Sequence, residues 1–120
     1  MKWPPLLHDE FVPELQQLLP AVRNEILALA TVLEERGPTL GRPYVDTLNG
    51  SKYPNMKELR FSINENGVVG EWRVAFAIDP NRNPILLVAG NKYGLWDKAE
   101  KEFYKKLIKC ADARYASHLL

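Results

Sequence analysis

The chain lacks the residues that most familiar enzyme sites require. It has one cysteine and two histidines in 120 residues. The lone Cys110 excludes an internal disulfide and a thiolate metal cluster, and His8 and His118 alone do not build a typical catalytic metal site. The phosphate-binding loop, the dinucleotide-binding glycine motif and HExxH are absent, and no serine or cysteine stands in a recognisable nucleophile motif. The sequence therefore predicts no metal and no cofactor.

Long apolar runs are also missing. No segment approaches the roughly 18 apolar residues of a membrane-spanning helix, and the N-terminal MKWPPLLHDE has no apolar signal-peptide core. We therefore expect a cytoplasmic protein without a membrane partner. A hydrophobic content of 46% and a length of 120 residues predict a single globular domain, 1–120.

The net charge is only +1, but the charges are unevenly distributed. Residues 1–51 carry four basic and seven acidic side chains, a balance of −3, whereas residues 52–120 carry twelve basic and eight acidic ones, a balance of +4. A basic second half is compatible with a nucleic-acid-binding surface. It is weak evidence by itself, because dispersed charges usually only keep a surface hydrated.

The clearest pattern is a three-stranded antiparallel meander from Lys57 to Lys92. Its strands read KELRFSI, EWRVAFAI and ILLVAGNK, and the turn-forming segments NENG and DPNRN separate them. Side chains alternate along a strand, so Arg60 and Arg73 are predicted on one face and the aromatic and branched residues on the other. If the aromatic face meets the core, both arginines project from the opposite surface together with Glu58.

The sequence predicts helices both before and after the meander. Residues 2–8 predict a short edge strand, followed by a short helix with Asp9 as its N-cap. A second helix is predicted over 21–36, with Pro20 as its possible first residue and Gly37 at its end.

The segment 37–56 is rich in glycine, proline and asparagine and reads as a connecting loop. Its candidate binding residues are Arg42, Tyr44, Lys52 and Tyr53. Asp97 and Glu100 form a capping signature before a C-terminal helix. This order of elements predicts an α+β fold, a small antiparallel sheet with its helices packed to one side.

Anion binding is the chemistry that the paired arginines offer. A guanidinium group with a pKa above about 12 is a poor proton acceptor, but its planar fork suits two phosphate oxygens. Lys92, at the end of the third strand, adds a third positive charge. Aromatic residues that could stack on a base follow it: Tyr93, Trp96 and Tyr104. A purely structural alternative is that Arg60 pairs with Glu58 or Glu71 across the sheet.

The segments KELRF, EWRVAFAID, ILLVAGNKYG and EFYKKLIKCADARYASHL together resemble the RelE/HigB superfamily of toxin–antitoxin toxins, and within it the phage-derived Gp49-like branch. LEERGPTLGRPYVDTLNG fits the same branch, so the similarity extends from about Phe11 onward. The resemblance implies a small antiparallel sheet with two N-terminal helices and one C-terminal helix. It also implies a metal-independent endoribonuclease that cuts messenger RNA in the ribosomal A site.

The resemblance also implies roles for individual residues. Arg73, in WRVAF, corresponds to the arginine that supports the scissile phosphate, Arg60 to the arginine of the preceding strand, and Lys92 to a basic residue after the third strand. Glu58 stands where the RelE branch has a lysine that is a candidate general base. Glu58 is therefore expected either to accept a proton from a 2′-hydroxyl or to orient Arg60.

Other positions match the family pattern less directly. The terminal tyrosine of RelE has two candidate counterparts, Tyr93 and Tyr104, and the catalytic histidines of HigB have none. The residues expected to bind RNA are Lys57, Tyr93, Trp96, Tyr104, Lys105 and Lys106.

The expected function is that of a type II toxin that acts as a ribosome-dependent mRNA endoribonuclease. Two alternatives stay open: a non-catalytic module that binds nucleic acid or the ribosome, and a gyrase-directed toxin of the ParE type. The expected partners are the ribosome, mRNA and a cognate antitoxin of the helix-turn-helix type. We expect the antitoxin to contact mainly the acidic N-terminal helix pair or the C-terminal helix.

Overall fold

The computed structural model describes residues 2–120, which form three α-helices and one five-stranded sheet. In chain order the elements are β1 (Leu6–Leu7), α1 (Phe11–Gln17), α2 (Pro20–Arg36), β2 (Val45–Thr47), β3 (Lys57–Glu65), β4 (Val68–Ile78), β5 (Pro84–Asn91) and α3 (Asp97–His118). The strand order is β1-β5-β4-β3-β2. All neighbours are antiparallel except β1, which runs parallel to β5. The predicted α+β fold, with its meander and short N-terminal strand, is confirmed.

Strand β2 lies inside the segment 37–56 that was predicted to be a loop. Val45–Thr47 pairs antiparallel with the first residues of β3, and the backbone carbonyl of Tyr44 accepts a hydrogen bond of 2.8 Å from the N–H of Arg60. Three residues are too few to show the alternation by which a strand is recognised in a sequence. The loop prediction was wrong for these residues.

Helices α1 and α2 cover one face of the sheet, as predicted for the helix pair. Their apolar side chains form one core with the aromatic and branched face of the meander; its largest buried members are Phe11, Ile26, Leu33, Leu59, Val74, Phe76 and Leu86. Burying each such side chain contributes roughly 1.5–3 kcal/mol. This face is therefore the main source of stability.

Helix α3 packs on the opposite face, so the prediction that all helices lie on one side was wrong. Leu107, Ala111 and Tyr115 form a second core with Ala75 and Ala77 of β4. Small alanines in a strand are compatible with an exposed face or with a closely packed one, and the sequence pattern does not distinguish the two. Consequently the face that carries Arg73 is partly covered rather than open.

Gly90 allows α3 to approach the sheet closely. A Cβ atom on Gly90 would lie 2.7 Å from a ring carbon of Phe103, a distance that side chains do not tolerate. Gly90 is the register partner of Arg73. The ring of Phe103 therefore rests beside Arg73 and brings the next residue, Tyr104, over the site.

The ends of α1 and α2 agree only in part with the residues that were predicted to begin and end these helices. Pro20 opens α2, and Gly37 closes it with a φ of +54°, a conformation that favours glycine. Helix α1 begins after Glu10, not after the predicted cap Asp9, and no side chain caps it.

The capping box predicted at the start of α3 does not form. Trp96 occupies the N-cap position without a side-chain hydrogen bond, and Asp97 is already the first helical residue. The carboxylate of Glu100 instead accepts a 2.5 Å hydrogen bond from the ammonium group of Lys92. A contact between α3 and Lys92, the residue that follows β5, takes the place of the local cap.

None of the helices in residues 2–120 combines the length and apolarity needed to cross a bilayer. Over the same residues, no group of three or more His, Cys, Asp or Glu side chains is placed to hold a metal ion.

Candidate active site

The candidate site lies on the face covered by α3, where strand register arranges side chains in rows across the sheet. Arg60 of β3 lies directly opposite Arg73 of β4, and Gly90 of β5 follows in the same row. Tyr44 extends this row at its other end through its hydrogen bond with the backbone of Arg60. Because α3 packs against β4 and β5, the end of the row at Arg60 and Tyr44 is left open.

Glu58 lies in the next row and places its carboxylate between the two guanidinium groups. Its Oε2 is 3.8 Å from Nε of Arg60, and its Oε1 is 3.9 Å from Nε of Arg73. Glu58 and Arg73 are buried, with 6% and 5% of their surfaces exposed. Opposite charges offset the cost of burying each group, so these side chains act as one electrostatic unit.

Two polar atoms of this unit are left without a hydrogen bond. Oε1 of Glu58 and Nε of Arg60 are buried and have no hydrogen-bond partner in the part of the chain that the structure describes. Buried polar atoms are nearly always hydrogen-bonded, and an exception calls for an explanation. These two unsatisfied atoms single out Glu58 and Arg60 as candidate site residues.

Burial raises the pKa of the Glu58 carboxyl above its ordinary value of 4.5, although the positive charges of Arg73 and Arg60 pull it in the other direction. A carboxylate with a raised pKa is a stronger proton acceptor than an exposed one. Of the two roles expected for Glu58, proton acceptor and orienter of Arg60, the geometry and the raised pKa are compatible with both.

Arg73 is held by neighbours on three sides. Its Nε donates to the hydroxyl of Tyr104 at 3.2 Å, and its NH1 donates to the carbonyl of Trp72 at 2.9 Å. A carboxylate oxygen of Glu71 lies 3.9 Å from NH1, and Glu71 itself accepts a 2.7 Å hydrogen bond from Ser62. The guanidinium plane is thus fixed before any ligand arrives.

Of the two candidate tyrosines, the structure brings Tyr104 to the cluster. Tyr93 lies exposed in the connection between β5 and α3, as does Trp96, which is 76% exposed. Both remain candidates for stacking with RNA, but they are not bonded to the arginines.

Lys92 follows the end of β5 on the same face as Arg73, and its N–H donates to the carbonyl of Glu71. Its ammonium group is bonded to Glu100 and lies 5.6 Å from the centroid of the Tyr104 ring. The hydrogen bond from Lys92 lowers the pKa of Glu100. A phosphate must therefore compete with a carboxylate for this lysine.

The remaining predicted RNA-binding lysines are spread over three places. Lys105 lines a groove of about 500 Å³ together with Glu58 and Tyr104. Lys106 lies on the other flank of α3, beside Phe103. Lys57 alternates to the opposite face of the sheet with Leu59, and its ammonium group donates to Thr47 at 3.3 Å. Only Lys105 is brought to the cluster.

A second groove, of about 550 Å³, lies on the other side of the arginine pair. It is lined by Arg60, Arg73, Arg42 and Tyr44 among others. Asp46 lies between the two grooves, 2.5 Å from Arg42 and 3.9 Å from Arg60.

Sequence reasoning missed the role of Asp46. Its pKa is lowered, mainly by the backbone hydrogen bond from Thr47. Only the pairing of β2 with β3 places its carboxylate beside Glu58, and no local pattern signals that pairing.

The chain matches the family model described as Phage derived protein Gp49-like (DUF891) over residues 13–116. It belongs to the Gp49-like family. It is 39% identical over 107 residues to the putative toxin HigB3 of Mycobacterium tuberculosis, and the aligned region covers 86% of this chain and 85% of that protein.

Two further similarities agree with this family. Over 94 residues the chain is 47% identical to the putative toxin HigB2 of the same organism. This aligned region covers 78% of this chain but only 43% of HigB2, so the chain spans less than half of that protein. Its fold is similar to that of a mutant of the E. coli toxin RelE in the free state, with a TM-score of 0.59, 14% identity and coverage of 91% and 97% of the two chains. The predicted place of the Gp49-like chain in the RelE/HigB superfamily is confirmed.

Proposed function

We propose that this Gp49-like chain is the toxin of a type II toxin–antitoxin system and that it cleaves messenger RNA on the ribosome. The observation that carries the proposal is the buried Glu58 carboxylate between Arg60 and Arg73, with one acceptor and one donor unmet. A base beside two phosphate-binding forks supplies two components of metal-independent RNA cleavage, proton removal and stabilisation of the developing charge.

In the proposed reaction, Glu58 accepts the proton of a ribose 2′-hydroxyl. The 2′-oxygen then forms a bond to the adjacent phosphorus while the bond from phosphorus to the 5′-oxygen of the next nucleotide breaks. The leaving 5′-oxygen takes up a proton from solvent, and Glu58 later returns its proton to solvent, so the products are a 2′,3′-cyclic phosphate and a 5′-hydroxyl. Because burial raises its pKa, the ionised Glu58 carboxylate is a stronger base than an exposed glutamate.

Arg73 and Arg60 stabilise the dianionic transition state. Guanidinium forks bind pairs of phosphate oxygens, and groups that are already oriented need no rearrangement as charge develops. The hydrogen bonds of Arg73 to Tyr104 and Trp72 provide that orientation. Lys92 lies on the same face and supplies positive charge near the leaving 5′-oxygen once phosphate displaces Glu100 from it.

An antitoxin is expected to accompany such a toxin, because an uninhibited mRNA endonuclease would arrest its own cell. We propose that the partner is encoded beside the toxin and is a helix-turn-helix protein. The ribosome and its mRNA are the proposed targets, which places the protein in the cytoplasm.

Mapping transcript 5′ ends after induced expression tests this function. New 5′ ends inside translated codons, each with a 5′-hydroxyl, are the expected result. Growth arrest with a DNA-damage response and no RNA cuts would indicate a gyrase-directed toxin instead. Arrest with neither effect would indicate a module that blocks the ribosome without cleavage.

A further inference from the structure

The groove beside the proposed catalytic cluster is lined by an exposed aromatic ring and by arginines. We propose that the groove formed by Arg42, Tyr44 and Arg60 binds single-stranded RNA, with one base stacked on Tyr44 and the neighbouring phosphate held by the two arginines. This subsite rests on the proposed function, because it assumes that the RNA strand runs from the Arg60–Arg73 pair into the groove.

The position of Tyr44 follows from the short strand β2. Val45 is the register partner of Leu59, and both are buried in the core under α1 and α2. Side chains alternate, so Tyr44 lies on the opposite face, in line with Arg60. Neighbouring strands are about 4.8 Å apart. Tyr44 is therefore one strand spacing from Arg60 and two from Arg73.

The chemistry of the groove suits a nucleotide. Tyr44 is 49% exposed, although it is a large aromatic residue, and the side chain of Arg42 is 71% exposed. A free aromatic face stacks on any base, and arginine adds positive charge for the phosphate. Three arginines and two glutamates, Glu25 and Glu71, contribute to the lining.

Two of the three acidic residues in or near the groove already have partners; the third, Glu25, also lines the groove. Glu71 accepts a hydrogen bond from Ser62, and Asp46 bonds to Arg42 through one oxygen. By contrast, Nε of Arg60 is buried without a hydrogen-bond partner among the described residues. The hydrogen-bonding capacity of Arg60, which lines the groove, is therefore not fully used by the described residues.

A strand from a partner protein is the competing occupant. Beyond Arg60, the edge of β3 has no neighbouring strand in the part of the chain that the structure describes, and open edges accept added strands. Such a strand would be held through the backbone of residues 61–65 and would not need the ring of Tyr44. The alignment of an exposed aromatic with two arginines favours RNA.

An NMR titration with a short single-stranded 2′-O-methyl oligoadenylate tests the subsite, since this probe lacks the attacking hydroxyl and cannot be cleaved. Amide shifts are expected at Arg42, at residues 44–46 and at Arg60. Tyr44→Ala should weaken binding about tenfold, because stacking of one base contributes about 1–3 kcal/mol, whereas Tyr44→Phe should stay within about twofold. Arg42→Ala should weaken binding, and the matched Arg36→Ala at the exposed end of α2 should not.

The outcomes separate the subsite from the nuclease proposal. No shift at residues 42–46 up to millimolar RNA, or equal affinity of Tyr44→Ala and wild type, overturns the subsite even if transcripts are cut in cells. Loss of RNA binding in Tyr44→Ala without any transcript cutting supports the subsite and refutes the nuclease. Shifts confined to the backbone of residues 61–65 upon addition of the antitoxin, with none upon addition of RNA, identify the edge as a protein-docking site and overturn the proposal.

Discussion

Arg60 and Arg73 lie directly opposite each other on β3 and β4, and Glu58 is within 4 Å of both guanidinium groups. Like charges at opposed strand positions destabilise a sheet. Two further carboxylates offset this repulsion, because Glu71 lies 3.9 Å from Arg73 and Asp46 lies 3.9 Å from Arg60. Substitutions of Arg73 and Glu58 test whether the cluster also acts on a substrate.

Arg73→Ala should reduce mRNA cleavage about 10²–10³-fold, as removal of one preorganised transition-state donor does. Arg73→Lys should restore only part of the activity, because an ammonium group lacks the planar fork. Growth after induction and the yield of cleaved transcripts measure the effect. Thermal melting must show that the variants are folded, since the substitution leaves Glu58 buried beside a single arginine. Wild-type growth arrest by folded Arg73→Ala would refute its role.

Glu58→Gln should remove the general base while keeping the shape of the side chain. In the wild-type protein, cleavage should rise with pH through the Glu58 pKa, which burial raises above 4.5, because only the ionised form accepts a proton. The Gln variant should be slow and should lack this rise. Cleavage by ribosomes programmed with a defined mRNA, measured across pH, tests the idea, with Glu65→Gln at the exposed end of β3 as the matched control. If the pH dependence of cleavage is unchanged in Glu58→Gln, Glu58 is not the general base and serves only to orient Arg60.

Asp79 should stabilise the fold in a pH-dependent way. Burial acts to raise its pKa, but hydrogen bonds from His118 and from the N–H groups of Asn83 and Asn81 outweigh burial and hold the pKa below 3.8. A lowered pKa means that the stabilisation is complete above pH 3.8 and is lost as the pH falls through the lower, folded-state value.

Asp79→Asn should therefore lower the free energy of unfolding at neutral pH by about 1.5–3 kcal/mol, the range for hydrogen bonds to charged groups. The difference from wild type should shrink below pH 3.8. Urea unfolding at several pH values measures it. His118→Ala should cost less, because Asp79 keeps both backbone bonds in the turn. A difference that does not change with pH would show that the charge of Asp79 is not the cause.

Reversing the charges of Glu34 and Glu35 to lysine should weaken the complex with the antitoxin and leave toxicity intact. Both residues lie near the end of α2, on the layer opposite the arginine pair, and Glu35 is ion-paired with Lys2. Binding of the purified partners and growth assays without antitoxin measure the two properties. If charge reversal at Lys105, Lys106 and Lys109 breaks the complex and the glutamate pair has no effect, the docking surface is α3 instead.

Local sequence patterns predicted the parts of the fold that depend on neighbouring residues. Strand alternation and the short NENG turn set the register that places Arg60 opposite Arg73. Pro20 and Gly37 mark the ends of α2 because each restricts or permits backbone angles by itself. The predicted capping box at Asp97 failed because Lys92, from another element, captured the carboxylate of Glu100.

The environment of the arginines was decided by tertiary structure alone. Helix α3 covers the small residues Ala75 and Ala77, and this cover buries Glu58 and Arg73 and brings Tyr104 to the guanidinium group. The raised pKa of Glu58 follows from desolvation, which depends on segments that pack together from distant parts of the chain. Residue types and strand register are local properties that the sequence determines. Burial, and therefore the pKa of Glu58, depends on how the helices and the sheet pack together.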